Sequence, residues 1–370
     1  MSNLRKILFV SRDDGGCSFY RCHQPSKFLK RSGLFDSEVV FRTPSPDQLM
    51  SADLVVMQEM GTVNASNLAR FMIENRIPYL TEFDDFVHHV SPRNQGGYGC
   101  WNPSTLYVHR SMELARSGFG IQVSTPQLAR EYHVYNPTVH VIPNWLDKDL
   151  WDQPASRKAD GKIRIGWAGG NAHADDLAMI SKVLERVLIE HKGDVVFETF
   201  GMTAQELHGS FPFQASPTGG CEKCGHEGMM HHYPGEPLQT YPTALLSKSW
   251  DIALAPVVNN AFGNCKSDIK IKEYSACGFP VIASPVQPYR DASRAGAPLV
   301  FAETFEEWYD ALKNLIRSET ERRQRSNDAR KWSEKNWIQD RISETGIVYK
   351  EIIDLSEQVL GKKSDRIIKP

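Results

Sequence analysis

The sequence lacks a surplus of positive charge: 43 Lys and Arg stand against 45 Asp and Glu, a formal net charge of −2. Coating a polyanion by bulk electrostatics needs such a surplus, so that mode is excluded, while a local positive channel for nucleic acid stays open. Long apolar runs are also missing. No segment approaches the ~20 continuous apolar residues of a membrane span, and the stretch Ile7 to Val10 is too short for a secretory h-region and reads as a first strand. Cysteine is sparse, with seven residues scattered along the chain apart from the close pair Cys221 and Cys224. That usage suits a reducing compartment and a cytoplasmic location, and nothing in it calls for a disulfide framework.

What is present reads as two globular units. A length of 370 residues, 41% hydrophobic and 24% charged, gives two domains with a core each. Short apolar runs alternate with amphipathic stretches, the pattern of parallel sheets covered by helices. In the first half the expected strands are Lys6–Val10, Glu38–Phe41, Leu54–Gln58, Tyr79–Phe83, Gly120–Ser124 and Val139–Ile142. Helices are expected over Pro25–Ser32, Ala65–Asn75 and Leu106–Ser117, with Thr125–Pro126 as a capped helix start. The stretch "DKDLWDQPASRKADGK", Asp147 to Lys162, loses apolar periodicity and reads as a linker. Beyond it come strand Ile163–Trp167, helix Asp176–His191, strands Val195–Phe200 and Ile252–Pro256, helix Ser267–Cys277 and strand Pro280–Ser284. The expected domains are 1–150, 163–335 with a Cys/His-rich insertion at 210–236, and a C-terminal helical segment at 336–370. Two doubly wound halves imply a cleft, with ligands at the carboxyl ends of the strands.

The chemistry-bearing stretches fall at those strand ends: "DDGGCSFYRCHQPSKFL", "TEFDDFVHHV", "VIPNWLD", and in the second half "RIGWAGGNAHADDL" with "KSDIKIKEYSACGFPVIAS". Together, in this order, they resemble the GT-B glycosyltransferases, in the group that includes retaining enzymes using nucleotide-activated sugars, over nearly the whole chain. The resemblance implies an α/β fold of two Rossmann-like doubly wound domains with an interdomain cleft and a C-terminal helix crossing back. Trp308, Trp332 and Trp337 are expected at that crossing. It also implies transfer of a sugar from a nucleoside diphosphate sugar to a hydroxyl on a saccharide, a protein or a modified DNA base. No catalytic metal is expected, because such enzymes stabilise the departing diphosphate with cations and helix dipoles.

Glu273 matches the carboxylate that binds the ribose hydroxyls in this group, a task suited to two acceptor oxygens. Lys266 and Lys270 would meet the diphosphate, beside a helix starting at Ser267. Gly169, Gly170, Asn171 and Tyr274 complete the donor set, and His173 would touch sugar or phosphate unless it serves as a cap. The bland alternative for Lys270 and Glu273 is an exposed ion pair. The group's pattern places a second carboxylate eight residues before the ribose-binding one, where this sequence has Cys265. That departure favours the rival from another class, a catalytically idle GT-B-like module that binds nucleotide or nucleic acid.

In the first half, Gly15 and Gly16 form a turn after the first strand, followed by Tyr20 and Arg21. Arg21 either clamps a phosphate or anionic acceptor, or pairs with Asp13 or Asp14. Asp84 and Asp85 read as acceptor-binding residues, one of them the general base if the reaction inverts. Cys221 and Cys224 have the two-residue gap of a zinc knuckle, with His226, His231 and His232 as candidate further ligands. Structural zinc, plain thiols and a redox pair are all open there. A DNA acceptor predicts a positive channel containing Arg12, Arg21 and Arg42, and a membrane acceptor predicts a basic face at Lys27–Phe35.

Overall fold

The computed structural model describes residues 4–92, 95–154, 160–170, 173–201 and 229–366. Among these residues twelve strands form two six-stranded parallel sheets. The first holds β1 (Lys6–Ser11), β2 (Asp36–Phe41), β3 (Leu54–Gln58), β4 (Tyr79–Phe83), β5 (Gly120–Val123) and β6 (Val139–Val141), in the order β2-β1-β3-β4-β5-β6. The second holds β7 (Ile163–Ala168), β8 (Val195–Gly201), β9 (Met230–Pro234), β10 (Ile252–Ala255), β11 (Val281–Ala283) and β12 (Val300–Phe301), in the order β12-β11-β10-β7-β8-β9.

Strands β3, β4 and β5 are buried at every position, which a parallel sheet reaches only with helices on both faces. Alternation along β1 divides the first core: Ile7 and Phe9 face one apolar cluster, Leu8 and Val10 the other. Strand order reverses direction beside β1 and β3 in the first sheet and beside β7 and β10 in the second. Crevices at such reversals are where doubly wound sheets bind ligands, so the two openings that face each other are positioned by topology.

The helix Ile338–Leu360 returns to the first sheet, where Ile338, Ile342, Tyr349, Ile352 and Ile353 join the cluster of Ile7, Phe9 and Leu54. The Tyr349 hydroxyl donates to Gln122 Oε1 at 2.8 Å inside that core. Outgoing and returning chain are tied together, Leu146 N–H donating to Asn336 O at 3.0 Å and Ile338 N–H to Leu146 O at 2.8 Å. Of the three tryptophans expected at the crossing, Trp308 packs instead in the core of the second sheet with Ile165, Leu184 and Leu312. Trp332 and Trp337 join the cluster on that sheet's other face.

The strands expected from the sequence form, with small shifts of their ends, and β9 and β12 were not anticipated. Strand β9 carries His231 and His232 among flanking glycine and proline, so it lacks the apolar signature. The helix expected from Pro25 starts earlier: Gly16–Ser18, a widened turn Phe19–His23 and Gln24–Arg31 run on without a break. The widened turn absorbs the proline, whose missing N–H and ring would disturb a regular helix. The helix expected over Asp176–His191 divides at Ile180 into Ala174–Met179 and Ser181–Glu190. The one expected from Ser267 begins two residues later, as Ile269–Cys277 with Asp268 at its N-cap. No described helix is long and apolar enough to cross a membrane.

Gly166 shows how tightly β7 is packed, because a Cβ there would lie 1.7 Å from the Trp250 ring. Overpacking a core costs about 1–3 kcal/mol, and the obstacle here is a large ring wedged beside the strand. Gly166→Ala is therefore expected to lower stability by at least that much, measured as the urea midpoint of the full chain; an unchanged midpoint would show that Trp250 can move aside.

Candidate active site

On the second-sheet side, β7 ends at Ala168 and passes into Gly169 and Gly170, directly at the crevice. A Cβ at Gly169 would sit 2.7 Å from Trp167, whereas nothing lies within 4 Å of one at Gly170. Lys270, from the first turn of Ile269–Cys277, donates from Nζ to Ala168 O at 2.8 Å and stands 5.0 Å from the Trp167 ring centroid. Lys266 lies just before that helix, its Nζ 3.6 Å from Asp85 Oδ1 across the cleft and 4.5 Å above the Phe262 ring. The His173 Nδ1 meets Asp176 Oδ2 at 2.8 Å, and Asp176 Oδ1 accepts the Val258 N–H at 2.8 Å.

The electrostatics of this group follow from shared burial. Desolvation, with Lys266 nearby, lowers Lys270 to about 8 against the pull of Asp176. Desolvation and then the two lysines lower His173 to about 4, so its ring is neutral at physiological pH. Burial works against the Lys266 ammonium as well, but Asp85 and Asp176 outweigh it and raise its pKa above the ordinary lysine value. Two cations thus share one buried site, where an incoming anion would be strongly favoured.

Glu273 lies further along the same helix, buried, with each oxygen taken by a tyrosine. The Tyr20 hydroxyl, from the first unit, donates to Oε1 at 2.7 Å, and the Tyr241 hydroxyl donates to Oε2 at 3.2 Å. Burial raises the carboxyl to about 7, opposed by the Tyr20 bond, the Lys270 charge and the Tyr241 bond. The carboxylate therefore faces two hydroxyl groups, the donor pattern that neighbouring ribose hydroxyls would present.

On the first-sheet side, the turn after β1 is fixed by Asp13, whose Oδ1 accepts from Gly15 N–H at 2.8 Å and Ser18 Oγ at 2.7 Å. Gly15 and Gly16 are exposed at the start of the first helix. Arg12 donates to Asp13 at 2.9 Å and pairs with Glu59. Glu59, directly after β3, is buried in the left-handed region at φ 36°, and burial raises its carboxyl to about 7. Asp84 is buried, accepting from Asn144 Nδ2 at 3.0 Å, while Asp85 stays partly exposed opposite Lys266.

Several residues singled out from the sequence lie elsewhere. Arg21 is not at the cleft surface and pairs with neither Asp13 nor Asp14: it is buried, donating to Glu82 at 2.5 Å, Ile142 O at 2.6 Å and Asn144 Oδ1 at 2.8 Å. Tyr274 is a core residue whose hydroxyl accepts the Ala168 N–H at 2.8 Å, so it positions the end of β7 from behind. Ser267 precedes the helix it was expected to start. Cys265 is buried in an apolar cluster of the first unit with Phe83, Phe86 and Val87, and burial raises its thiol to about 12. Asn171, Cys221, Cys224 and His226 lie outside the described residues. His231 and His232 are adjacent on β9, where successive side chains face opposite sides of the sheet, so the two rings do not converge on one ion. His232 Nδ1 lies 3.0 Å from Thr199 Oγ1. Among the described residues no group of three or more His, Cys, Asp or Glu is arranged to hold a metal.

Glu59, Asp176 and Tyr241 escaped the sequence reading, and Arg12 entered it only as part of a DNA channel. Glu59 had a signal, since it is a carboxylate just past the end of the apolar run Leu54–Met57. An opening of about 310 Å3 bounded by Arg164, Asp251 and Arg322 lies at the amino ends of β7, β10 and β11, away from the reversal.

No protein-family model matches the sequence, and no curated protein sequence matches it. Solved structures do resemble it in fold. Sucrose-phosphate synthase from Thermosynechococcus elongatus superposes with a TM-score of 0.67 at 11% identity, covering 95% of this chain and 100% of that one. Anabaena HepE in complex with UDP and glucose gives 0.63 at 14% identity, over 92% and 99% of the two chains. WaaG, a glycosyltransferase involved in lipopolysaccharide biosynthesis, gives 0.62 at 11% identity, over 92% and 99%. The fold is GT-B, two Rossmann-like units around a cleft.

The buried Glu273 sets a pH dependence. Its pKa is near 7 in the folded protein against 4.5 in the unfolded chain, so folding favours the protonated form. The stability this provides is complete below pH 4.5 and is lost as pH rises through 7, a change on the order of 3 kcal/mol. Glu273→Gln should flatten the fall in urea midpoint between pH 5 and 8; parallel profiles for the two proteins would mean that the carboxyl is not so buried in solution.

Proposed function

We propose that the protein is a glycosyltransferase that moves a sugar from a nucleoside diphosphate donor to a hydroxyl acceptor. The observation that carries this reading is the convergence of Lys266, Lys270 and Glu273 with the Gly169–Gly170 turn at the reversal of strand order in the second sheet. The GT-B fold supports it, and UDP, the nucleotide bound by HepE, is the donor nucleotide we propose.

In this reading the diphosphate lies over Gly169 and Gly170 and takes charge-assisted hydrogen bonds from Lys266 and Lys270. Both cations are already desolvated and in place, so they stabilise the negative charge that grows on the departing diphosphate without reorganising. Glu273 exchanges the Tyr20 and Tyr241 hydroxyls for those of the ribose. His173, neutral and fixed by Asp176, offers its Nε2 side to the sugar or phosphate. Asp84 and Asp85 face the acceptor, and the transfer retains the anomeric configuration, as the family resemblance implies. Residues 1–150 would form the acceptor unit, 163–335 the donor unit with its 210–236 insertion, and 336–370 the returning segment. A cytoplasmic setting fits the free thiols of Cys17, Cys22, Cys100, Cys265 and Cys277.

Calorimetric titration with UDP tests the donor site. Lys266→Ala and Lys270→Ala should each weaken binding by about 10-fold or more, from the roughly 1.5–3 kcal/mol of a hydrogen bond to a charged group. Because Lys270 is charged only below about 8, affinity should fall as pH rises through that value, and Lys270→Ala should lose this dependence. Tyr20→Phe removes a competitor for Glu273 and should tighten UDP binding several-fold. Absence of binding by UDP and by every other nucleoside diphosphate would overturn the transferase reading, and NMR of the product's anomeric proton would decide retention.

A further inference from the structure

A second cavity, of about 430 Å3, opens on the first-sheet side of Lys266, lined among others by Arg12, Glu59, Asp85, Trp101, Tyr107 and Phe262. That volume is within the roughly 300–1,000 Å3 of pockets that bury a small ligand. We infer that this cavity binds the acceptor, and that the acceptor is a neutral saccharide. The inference rests on the transferase reading and specifies the substrate class that the reading leaves open.

Two unlike walls define the ligand. One is aromatic and apolar: Trp101 and Tyr107 meet edge to face with centroids 4.9 Å apart, beside Val87, Val90 and Phe262. The other is polar and held in place. Glu59 keeps its left-handed backbone through Glu59 N–H donating to Glu82 O at 2.9 Å, while its own carbonyl accepts from the Tyr107 hydroxyl at 2.9 Å. Strained conformations of this kind persist where surrounding contacts over-determine them, often at ligand sites. A pyranose ring fits both walls, with an apolar C–H face for the rings and hydroxyls for the carboxylates and guanidinium. The Lys266–Asp85 contact of 3.6 Å joins this cavity to the cations of the donor site, so a hydroxyl bound at Asp85 would lie beside the diphosphate.

Charge argues against anionic acceptors. Arg12 is paired with Asp13 and Glu59, and Lys266 with Asp85, leaving an acidic balance at the polar wall. The three arginines expected in a DNA channel do not line one together: Arg21 is buried against Glu82, Arg12 is paired with Glu59, and Arg42 donates to the Arg12 carbonyl at 3.0 Å. The basic face that a membrane acceptor would need is neutralised, with Lys27 on Asp147, Lys30 on Asp36 and Arg31 on Asp149. A serine or threonine of a protein would reach the carboxylates and leave the aromatic wall uncovered.

Saturation-transfer NMR on the full chain, with the methyl pyranosides of glucose, galactose, mannose and N-acetylglucosamine, tests this with UDP present and absent. At least one glycoside should receive saturation, reduced more than fivefold in Trp101→Ala and in the isosteric Glu59→Gln, with UDP affinity changed less than twofold. Should Trp101→Ala not fold, Glu59→Gln decides alone. No saturation of any glycoside while UDP still binds overturns the inference, as does binding that both variants leave unchanged. Transfer from UDP-glucose to a 5-hydroxymethylcytosine duplex or a serine peptide, with none to a glycoside, overturns it too and leaves the transferase reading intact. Loss of UDP binding in the wild type sinks that reading instead, and the glycoside signal still reports on the cavity.

Discussion

One hydrogen bond, 2.7 Å from the Tyr20 hydroxyl to a Glu273 oxygen, joins the first helix of one unit to the main cleft-facing helix of the other. Tyr20 packs with Leu146, Trp151 and Tyr274, so its ring belongs to the apolar cluster of the second sheet although its backbone belongs to the first unit. The packing of this ring, which loss of the hydroxyl's bond would leave in place, holds the two crevices at their spacing. The approach of the lysines to Asp85 and to the aromatic wall depends on that spacing, because the lysines lie on one side of the cleft and Asp85, Trp101 and Tyr107 on the other.

The spacing is held from behind as well. Lys272, on the face of its helix away from Lys270, donates to Asn144 O at 2.7 Å and pairs with Asp268 at 2.9 Å, with its ammonium 4.4 Å over the Trp145 ring. Asn144 in turn serves Arg21 and Asp84. One short turn, Pro143 to Asp147, therefore receives contacts from both units and from the returning chain. Burying one partner of such a network without the others would leave a charge unpaired, so its members stand or fall together.

Much of this could be read from the sequence because parallel strands and their helices announce themselves by apolar runs and periodicity. The ten strands found by that signal are built on apolar residues even where a polar one interrupts them, as Glu82 does in β4, Gln122 in β5 and His140 in β6. Strand β9 was missed because two histidines occupy a half-exposed edge, and β12 because two residues are too few to show a period. Lys266, Lys270 and Glu273 were found by residue type and position, and the structure brings them to one crevice. Arg21 was misjudged because a sequence does not tell a buried arginine from an exposed one. Its partner, Glu82, lies on β4, sixty-one residues away. Tyr274 was misplaced for a related reason: the helix that carries Lys270 and Glu273 also has a core face, and its residues alternate between ligand side and interior within one turn. Tyr241 comes into the site only through tertiary packing.

The short helix Ala261–Asn264 and Cys265 behind it act as a peg set into the other unit. Cys265 sits in the first unit's apolar cluster, with Phe262 packed against it, and the Thr125 hydroxyl reaches the Cys265 carbonyl at 3.5 Å. Parting the units would pull this peg out and wet both surfaces. Attraction of that origin is largely entropic near room temperature and fades on cooling. The hold of this peg therefore weakens in the cold, and there more of the work of keeping the units together passes to the hydrogen bonds of Tyr20 and Lys272.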